Sequence, residues 1–367
     1  MTIGSIIGHR MRVQRLTGTP FPTAADAVRH FACVQAQDAP LAAWSLALRS
    51  RAATHAHVLA EQRAGAILRT HILRPTWHYV VPEDLRWIQA LTGPRVERAT
   101  AGRRRQLGIT TERIGVCFAR LARLLAGDTE LTRAELTPHL GDLGDGPSGE
   151  VLTHLLLMAE IHCVIVSGRP REVAGVVAEH TYALADDVVP SAPSDQREED
   201  EALRLLALRF FRAYGPATDR DLARWASLTL TRVRRMIADL ADELVSVRSD
   251  GATLHFAADD VAPRPSTPTA VLLPAFDPLV LTSPAHPFPR TATQLDRRRL
   301  IAESGGGIVV AGTDDVGLFK RTVSPTEVAV TVRLEAPVSR RTVTAIRKAA
   351  TALGNFYERP ATVTTTT

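Results

Sequence analysis

Lysine is almost absent from this 367-residue chain, because only Lys320 and Lys348 stand among 44 basic residues. An enzyme that forms a Schiff base needs an amine, so few positions could supply one. Cysteine is scarce as well: Cys33, Cys117 and Cys163 are far apart and odd in number. That pattern argues against disulfides and against a zinc site, and it favours a reducing cytoplasm.

Long apolar runs are also missing. No stretch of 18 apolar residues occurs, which excludes a membrane span, and the start MTIGSIIGHRMRVQRL lacks the apolar core of a secretion signal. The chain contains no HExxH, CxxC, GxSxG or phosphate-loop motif. We therefore expect a cytoplasmic protein that uses no cofactor and no metal.

Charge is distributed unevenly. Residues 1–125 carry 18 Arg against 7 acidic residues, whereas residues 126–264 carry 14 Arg against 24 acidic residues. Residues 265–367 are mildly basic, with 12 Lys and Arg against 8 acidic residues. A strongly basic block beside an acidic one indicates that one part of the chain binds a polyanion.

The clearest structural pattern lies at 203–257, where three helical segments precede an alternating strand–turn–strand segment around Asp250-Gly251. Helix–helix–helix–hairpin is the order of a winged helix. The same order fits residues 112–177 and can be read in the N-terminal block. We predict an α+β fold with three tandem winged-helix units. The predicted modules are 1–105, 106–190 and 200–262, with the acidic segment SAPSDQREEDE as a linker before the third.

The predicted fourth module, 263–367, is a C-terminal β-rich domain. It contains a hairpin near 308–323 that turns near Asp314-Asp315, a helix over SRRTVTAIRKAATAL and a frayed tail, TVTTTT.

Two amides interrupt an apolar segment, VQAQDAP, in which Gln35 and Gln37 flank Ala36. Side chains at i and i+2 point the same way only in an extended chain, since in a helix they diverge by about 200°. We predict a non-helical conformation here, followed by a helix that starts at Pro40 with Asp38 or Ala39 near its cap. Asp38 is also a rival catalytic residue, because a carboxylate is a stronger base than an amide.

The densest polar and aromatic cluster is RTHILRPTWHYVVPEDLRW. Its mixture of cations, imidazoles and an indole suits phosphates, groove edges and a sugar. A strand pair over residues 66–81, interrupted at Pro75, would group Arg69 with His71 on one face. The alternative is that Trp77 fills the core and the histidines are structural. The candidate DNA-binding residues are Arg69, His71, Arg74, Trp77 and His78, together with Lys320 and Arg321 on the returning strand of the C-terminal hairpin.

These motifs, with LLPAFDPLV and RTVSP, resemble the winged-helix DNA glycosylases of the AlkZ and YcaQ type over essentially the whole chain. Glutamine at both motif positions is similar to the AlkZ-like branch, since the YcaQ-like branch has aspartate at the second. The resemblance implies a bacterial, nucleoid-associated enzyme with a C-shaped body that excises N7-alkylpurines from double-stranded DNA. Its substrates would include bulky adducts and interstrand crosslinks of azinomycin-type antibiotics, as self-protection. It assigns catalysis to Gln35 and Gln37.

The chemistry explains why amides could suffice. An N7-alkylated purine is already cationic and leaves as a neutral base, so no general acid is needed. Two glutamines could then orient a water toward the sugar carbon. Because neither lysine lies near these glutamines in sequence, we predict a monofunctional glycosylase without a lyase step. We also expect a monomer.

Two other functions fit a winged-helix protein. A transcriptional regulator would read an operator, usually as a dimer, with a basic recognition helix. A non-catalytic DNA-binding protein of the same fold would bind without cleaving.

Overall fold

The computed structural model describes residues 3–143, 149–172, 178–191, 197–249, 251–260, 269–281 and 305–366. They form a mixed α+β fold, as predicted. Within those ranges no helix has the length and apolar character needed to cross a membrane.

The helices are α1 (Ile3–Val13), α2 (Ala24–Phe31), α3 (Ala39–Ala47), α4 (His55–Arg63), α5 (Pro82–Gln106), α6 (Thr111–Leu124), α7 (Arg133–Leu140), α8 (Glu150–Ile161), α9 (Ala185–Val188), α10 (Glu199–Tyr214), α11 (Asp219–Trp225), α12 (Leu230–Asp239), α13 (Pro278–Leu281) and α14 (Arg340–Phe356). The strands are β1 (Val34–Gln35), β2 (Leu68–His71), β3 (Trp77–Val80), β4 (Leu131–Thr132), β5 (Ile165–Ser167), β6 (Arg171–Glu172), β7 (Ala178–Glu179), β8 (Thr181–Leu184), β9 (Leu244–Ser249), β10 (Ala252–Ala257), β11 (Val271–Pro274), β12 (Gly306–Ala311), β13 (Asp314–Val323), β14 (Val328–Leu334) and β15 (Ala361–Thr366).

The chain divides into two compact units. One consists of residues 1–58 and 204–367, and the other of residues 59–203. This division cuts through the first predicted module, because residues 1–58 belong to one unit and residues 59–105 to the other. The division into four serial modules therefore stays a prediction.

A five-stranded sheet of order β11-β12-β13-β14-β15 forms the C-terminal part of the first unit. The first four strands pair antiparallel, and β15 pairs parallel to β14 after the crossover helix α14. The frayed tail predicted for TVTTTT is therefore wrong, since Ala361–Thr366 is strand β15. Threonine is β-branched and favours a strand once a neighbouring strand supplies hydrogen bonds. Thr367 lies outside the described residues.

The hairpin formed by β12 and β13 also differs in detail from the prediction. Its turn lies at Gly312-Thr313, and Asp314 and Asp315 already belong to the returning strand. Gly312 has φ +61°, a value that favours glycine at this turn.

The helix–helix–helix–hairpin order predicted for 203–257 is confirmed by α10, α11, α12, β9 and β10. A capping box starts α11, in which the amide of Asp221 donates to the Thr218 hydroxyl at 3.1 Å and the amide of Thr218 donates to the Asp221 carboxylate at 2.9 Å. Helix α10 begins at Glu199, so the acidic end of the predicted linker is helical, where negative charge favours a helix N-terminus. Residues 192–196 of that linker, and Asp250 in the hairpin turn, lie outside the described residues.

In the second unit α6, α7 and α8 are followed by β5 and β8. The strand β8 that returns beside β5 thus lies beyond the predicted range 112–177, and residues 173–177 of that range lie outside the described residues. Strand β8 lies between β4 and β5. The core contains Cys117 and Leu121 from α6 and Leu155 from α8, all fully buried. Burial raises the pKa of Cys117 to about 11, so this thiol stays protonated and apolar.

A buried ion pair fixes α3 within the first unit. The Arg49 guanidinium donates to both carboxylate oxygens of Asp277, at 2.8 and 2.7 Å, and neither side chain is exposed. Ser45 Oγ donates to the same carboxylate at 2.6 Å, and Gln14 Oε1 accepts from Arg49 at 3.1 Å. Trp44 Nε1 donates to the carbonyl of Leu272 on β11 at 2.9 Å. Helix α3 is thus held against β11 and the start of α13 by polar contacts inside the core.

Asp277→Ala should lower the free energy of unfolding of this unit by about 3–5 kcal/mol, because it leaves the Arg49 charge buried without its partner. Chemical unfolding followed by tryptophan fluorescence measures the change. The control is Arg29→Ala, which removes an exposed ion pair with Asp26 and should cost at most about 1 kcal/mol. Equal losses in the two variants would contradict this account.

Candidate active site at the QxQ segment

Gln35 and Gln37 lie in a non-helical segment that runs from strand β1 to helix α3. Gln35 ends strand β1, Ala36 and Gln37 are non-helical, and α3 begins at Ala39. Ala36 is fully buried, Gln35 is half-buried and Gln37 is exposed. The predicted non-helical conformation is confirmed, and the buried methyl group of Ala36 turns both flanking amides toward the surface.

Asp38 caps α3, as predicted. Its Oδ1 accepts from the amide of Leu41 at 3.0 Å, and Pro40 occupies the first turn, where no amide hydrogen is needed. The chain can therefore change from strand to helix within three residues of Gln35.

Arg321 reaches the same carboxylate. Its Nη2 donates to Asp38 Oδ1 at 3.4 Å, its Nη1 to the carbonyl of Gly305 at 2.7 Å and its Nε to Tyr357 Oη at 3.0 Å. Only 9% of the Arg321 side chain is exposed. Burial raises the pKa of Tyr357, so its hydroxyl stays neutral as an acceptor. These contacts favour a structural role for Arg321 over the predicted phosphate contact.

Lys320 faces the opposite side of β13, because successive residues of a strand alternate. It is exposed, which suits the predicted contact with a phosphate.

The second unit contains the predicted polar and aromatic cluster as the antiparallel pair β2–β3. As expected, Arg69 and His71 share a face and Pro75 lies in the intervening loop. The Arg69 guanidinium stacks 3.8 Å above the centroid of the Trp77 ring, a cation–π contact.

Glu160 on α8 organises this face. Its carboxylate contacts His71 Nδ1 and accepts from Trp77 Nε1 at 3.2 Å, and its side chain is fully buried. Gln89 on α5 donates to the backbone carbonyls of both His71 and Glu160 at 2.8 Å. Arg69 and His71 are buried, so these contacts favour structural roles for them. Trp77 and Arg74 are half-buried and present part of their side chains to solvent.

His78 lies on the other face of β3 and is 1% exposed. Its Nδ1 donates to the carbonyl of Thr76 at 2.8 Å, while its Nε2 is buried and has no hydrogen-bond partner among the residues described here. Burial and the nearby Arg74 charge hold the pKa of His78 well below its usual value. Burial favours a structural role over direct contact with DNA.

Three residues that organise the two sites were not predicted: Arg49, Glu160 and Asp277. Each had a signal in the sequence, because an ionisable residue inside an apolar run is rarely buried without a partner. Glu160 interrupts LLLMAEIH, Arg49 interrupts LAAWSLALRS, and Asp277 precedes a proline, as a helix cap often does. Among the residues that the structure describes, no group of three or more His, Cys, Asp or Glu side chains could hold a metal ion.

The buried His78 should make stability depend on pH. Its folded pKa lies below the unfolded value of about 6.5, so its contribution is complete above that pH. Below it the unfolded chain binds a proton that the folded chain excludes, and the free energy of unfolding falls by up to about 1.4 kcal/mol per pH unit. Urea unfolding at pH 7 and pH 5 should show a smaller pH effect in His78→Asn. The same pH effect in both proteins would contradict the assignment.

The chain is similar to known DNA glycosylases over most of its length. The family model described as "DNA glycosylase AlkZ-like" matches residues 28–356. An interstrand DNA cross-link repair glycosylase of Streptomyces sahachiroi is 26% identical over 266 residues, 67% of each chain. The solved structure of the Streptomyces sahachiroi DNA glycosylase AlkZ superposes with a TM-score of 0.72 at 24% identity, covering 99% of both chains. The match over residues 28–356 shows that this chain belongs to the AlkZ-like DNA glycosylase family.

Proposed function

We propose that this protein is a monofunctional DNA glycosylase that hydrolyses the N-glycosidic bond of cationic N7-alkylpurines in double-stranded DNA. Its substrates include bulky adducts and interstrand crosslinks, and its activity protects cells against azinomycin-type antibiotics. One observation carries the proposal: the half-buried Gln35 and the exposed Gln37 flank the buried Ala36 on a non-helical segment. The name of the cross-link repair relative supports the substrate class.

The charge of the substrate determines which groups the enzyme must supply. Glycoside hydrolysis ordinarily uses two carboxyl groups, one of which protonates the leaving group. A cationic purine departs as a neutral base with the electrons of the N-glycosidic bond, so the remaining task is to direct water at an oxocarbenium-like sugar. The attacking water then releases a proton to solvent. In the proposed mechanism, the carbonyl oxygens of Gln35 and Gln37 accept hydrogen bonds from that water, and their amide groups donate to the sugar–phosphate. Orientation of this kind supplies part of the roughly 7–11 kcal/mol available from proximity.

Binding would use the basic part of the chain. Lys320 is exposed on β13. Trp77, the first residue of β3, and Arg74, in the loop between β2 and β3, are half-buried. In this proposal, the cations contact phosphates and the indole packs on a sugar or a base. The working form is a monomer, and its winged-helix units bind the duplex.

A duplex that contains 7-methylguanine should lose that base, whereas a matched duplex with uracil should be cleaved at least 100-fold more slowly, because neutral uracil needs a general acid to leave. Heating in alkali converts each abasic site into a strand break that can be counted on a gel. Comparable rates on the two duplexes would overturn the proposed substrate class.

Gln35→Ala and Gln37→Ala should each slow release of 7-methylguanine by about 100-fold, or roughly 3 kcal/mol in the barrier. DNA affinity should stay nearly intact, because one neutral hydrogen bond to the sugar–phosphate adds little to the cationic contacts with phosphates. The control is Gln106→Ala, which removes an exposed glutamine that pairs with Arg103. Equal losses of rate and affinity would make Gln35 and Gln37 binding residues.

Borohydride should trap no covalent adduct between the protein and reacting DNA, because a Schiff base needs an amine and the chain has only two lysines. A denaturing gel reveals such an adduct as a shifted band. A trapped species would establish a lyase step.

A further inference from the structure

We infer that Arg321 is a positioning residue for the glycosylase reaction, which acts through Asp38 to fix the direction of Gln35 and Gln37. The inference rests on the proposed function and concerns a residue whose position after the C-terminal hairpin indicated only a phosphate contact.

Arg321 connects three parts of the first unit through hydrogen bonds. Each of its three guanidinium nitrogens faces an acceptor on a different part of the first unit: Asp38 before α3, Gly305 before β12, and Tyr357 after α14. With 9% of its side chain exposed, the guanidinium has little surface to offer a phosphate. Its charge is instead directed at the one carboxylate that adjoins the QxQ segment.

Asp38 transmits this constraint. Its Oδ1 accepts both the helix-capping bond from Leu41, at 3.0 Å, and the bond from Arg321, at 3.4 Å. A general base would need to direct an oxygen at the attacking water; Oδ1 is engaged by these two donors, and the Asp38 variants below test whether Oδ2 acts as a base. Asp38 therefore holds the start of α3, and Gln37 is its immediate neighbour.

The other end of α3 is fixed independently. Arg49, just beyond the helix, is paired with the buried Asp277. If only the C-terminal end of α3 were held, its first turn could fray, because the carboxylate of Asp38 would no longer be fixed where it accepts from the amide of Leu41. Arg321 and Asp277 thus restrain the two ends of the helix that follows the glutamines.

The rate of the proposed reaction depends on this restraint. Without a general acid, the proposed catalysis depends on aiming a water, and an error of about 1 Å can cost about 100-fold in rate. Loss of Arg321 should accordingly slow the chemical step while leaving DNA affinity nearly unchanged.

The test compares Arg321→Met, which keeps the length of the side chain and removes its donors, with Arg333→Met, which removes an exposed arginine from the neighbouring strand β14. Single-turnover release of 7-methylguanine gives the chemical rate, and fluorescence anisotropy with the same duplex lacking damage gives Kd. Arg321→Met should lower the rate 10- to 100-fold with Kd within threefold of wild type. Arg333→Met should change the rate less than threefold.

Asp38 variants separate positioning from base catalysis. Asp38→Asn keeps an oxygen that can cap α3, so its rate should stay within tenfold of wild type with an unchanged pH–rate profile. Asp38→Ala removes the helix cap as well as the bond from Arg321, so it should be at least as slow as Arg321→Met, and the double variant should be no slower than Asp38→Ala. An Asp38→Asn enzyme that is inactive, or that loses the acid limb of the profile, would make Asp38 the base and overturn the inference.

A rate loss in Arg321→Met that is matched by an equal rise in Kd would show that Arg321 binds a phosphate and would overturn the inference. Hydrogen exchange gives a readout that is independent of activity: the amides of Leu41 and Ala42, which donate to Asp38, should exchange faster in Arg321→Met than in wild type. Unchanged exchange would overturn the inference whatever the activity. A wild-type protein that is inactive on 7-methylguanine would overturn the proposed function instead, and the exchange result would still decide the role of Arg321.

Discussion

The pairing of Arg49 with Asp277 inside the core is the interaction on which the candidate active site depends, because it fixes helix α3 on strand β11. Two charges are costly to remove from water, and here the cost is offset by a bidentate contact and by hydrogen bonds from Ser45 and to Gln14. An apolar contact could slide, whereas this geometry admits one register. The glutamines directly precede α3, so the fixed position of the helix also fixes where they lie.

The candidate active-site segment combines a rigid backbone with weak chemical groups. Ala36 is anchored in the core, Asp38 caps the helix, and the amides between and beside them carry no charge. Such groups are poor acids and poor bases, so they suit a reaction in which the substrate carries the activating charge itself. Membership of the AlkZ-like DNA glycosylase family places the chain among enzymes that act on DNA bases. The scarcity of lysine in the whole chain is consistent with hydrolysis by water.

The second unit shows how a binding motif can be mistaken for a contact surface. Arg69, His71 and Trp77 have the chemistry of a DNA contact, but Glu160 draws His71 into a buried contact and accepts a hydrogen bond from the half-buried Trp77, and Arg69 stacks on the indole. The burial of His78 has the same effect on the opposite face of the strand pair. Residue type and spacing described these side chains correctly as a cluster, but α8, about 80 residues away, decided that most of them face inward.

Local sequence determined the non-helical conformation of the QxQ segment, the cap at Asp38 and the helix–helix–helix–hairpin order of residues 203–257, because each depends on neighbours within a few positions. Tertiary structure alone decided that Arg321 turns toward Asp38, that Asp277 receives Arg49, and that the C-terminal threonines form a strand beside β14. These outcomes join residues from 33 to 283 positions apart along the chain, and no local preference specifies which distant partner a charge or a strand edge will meet.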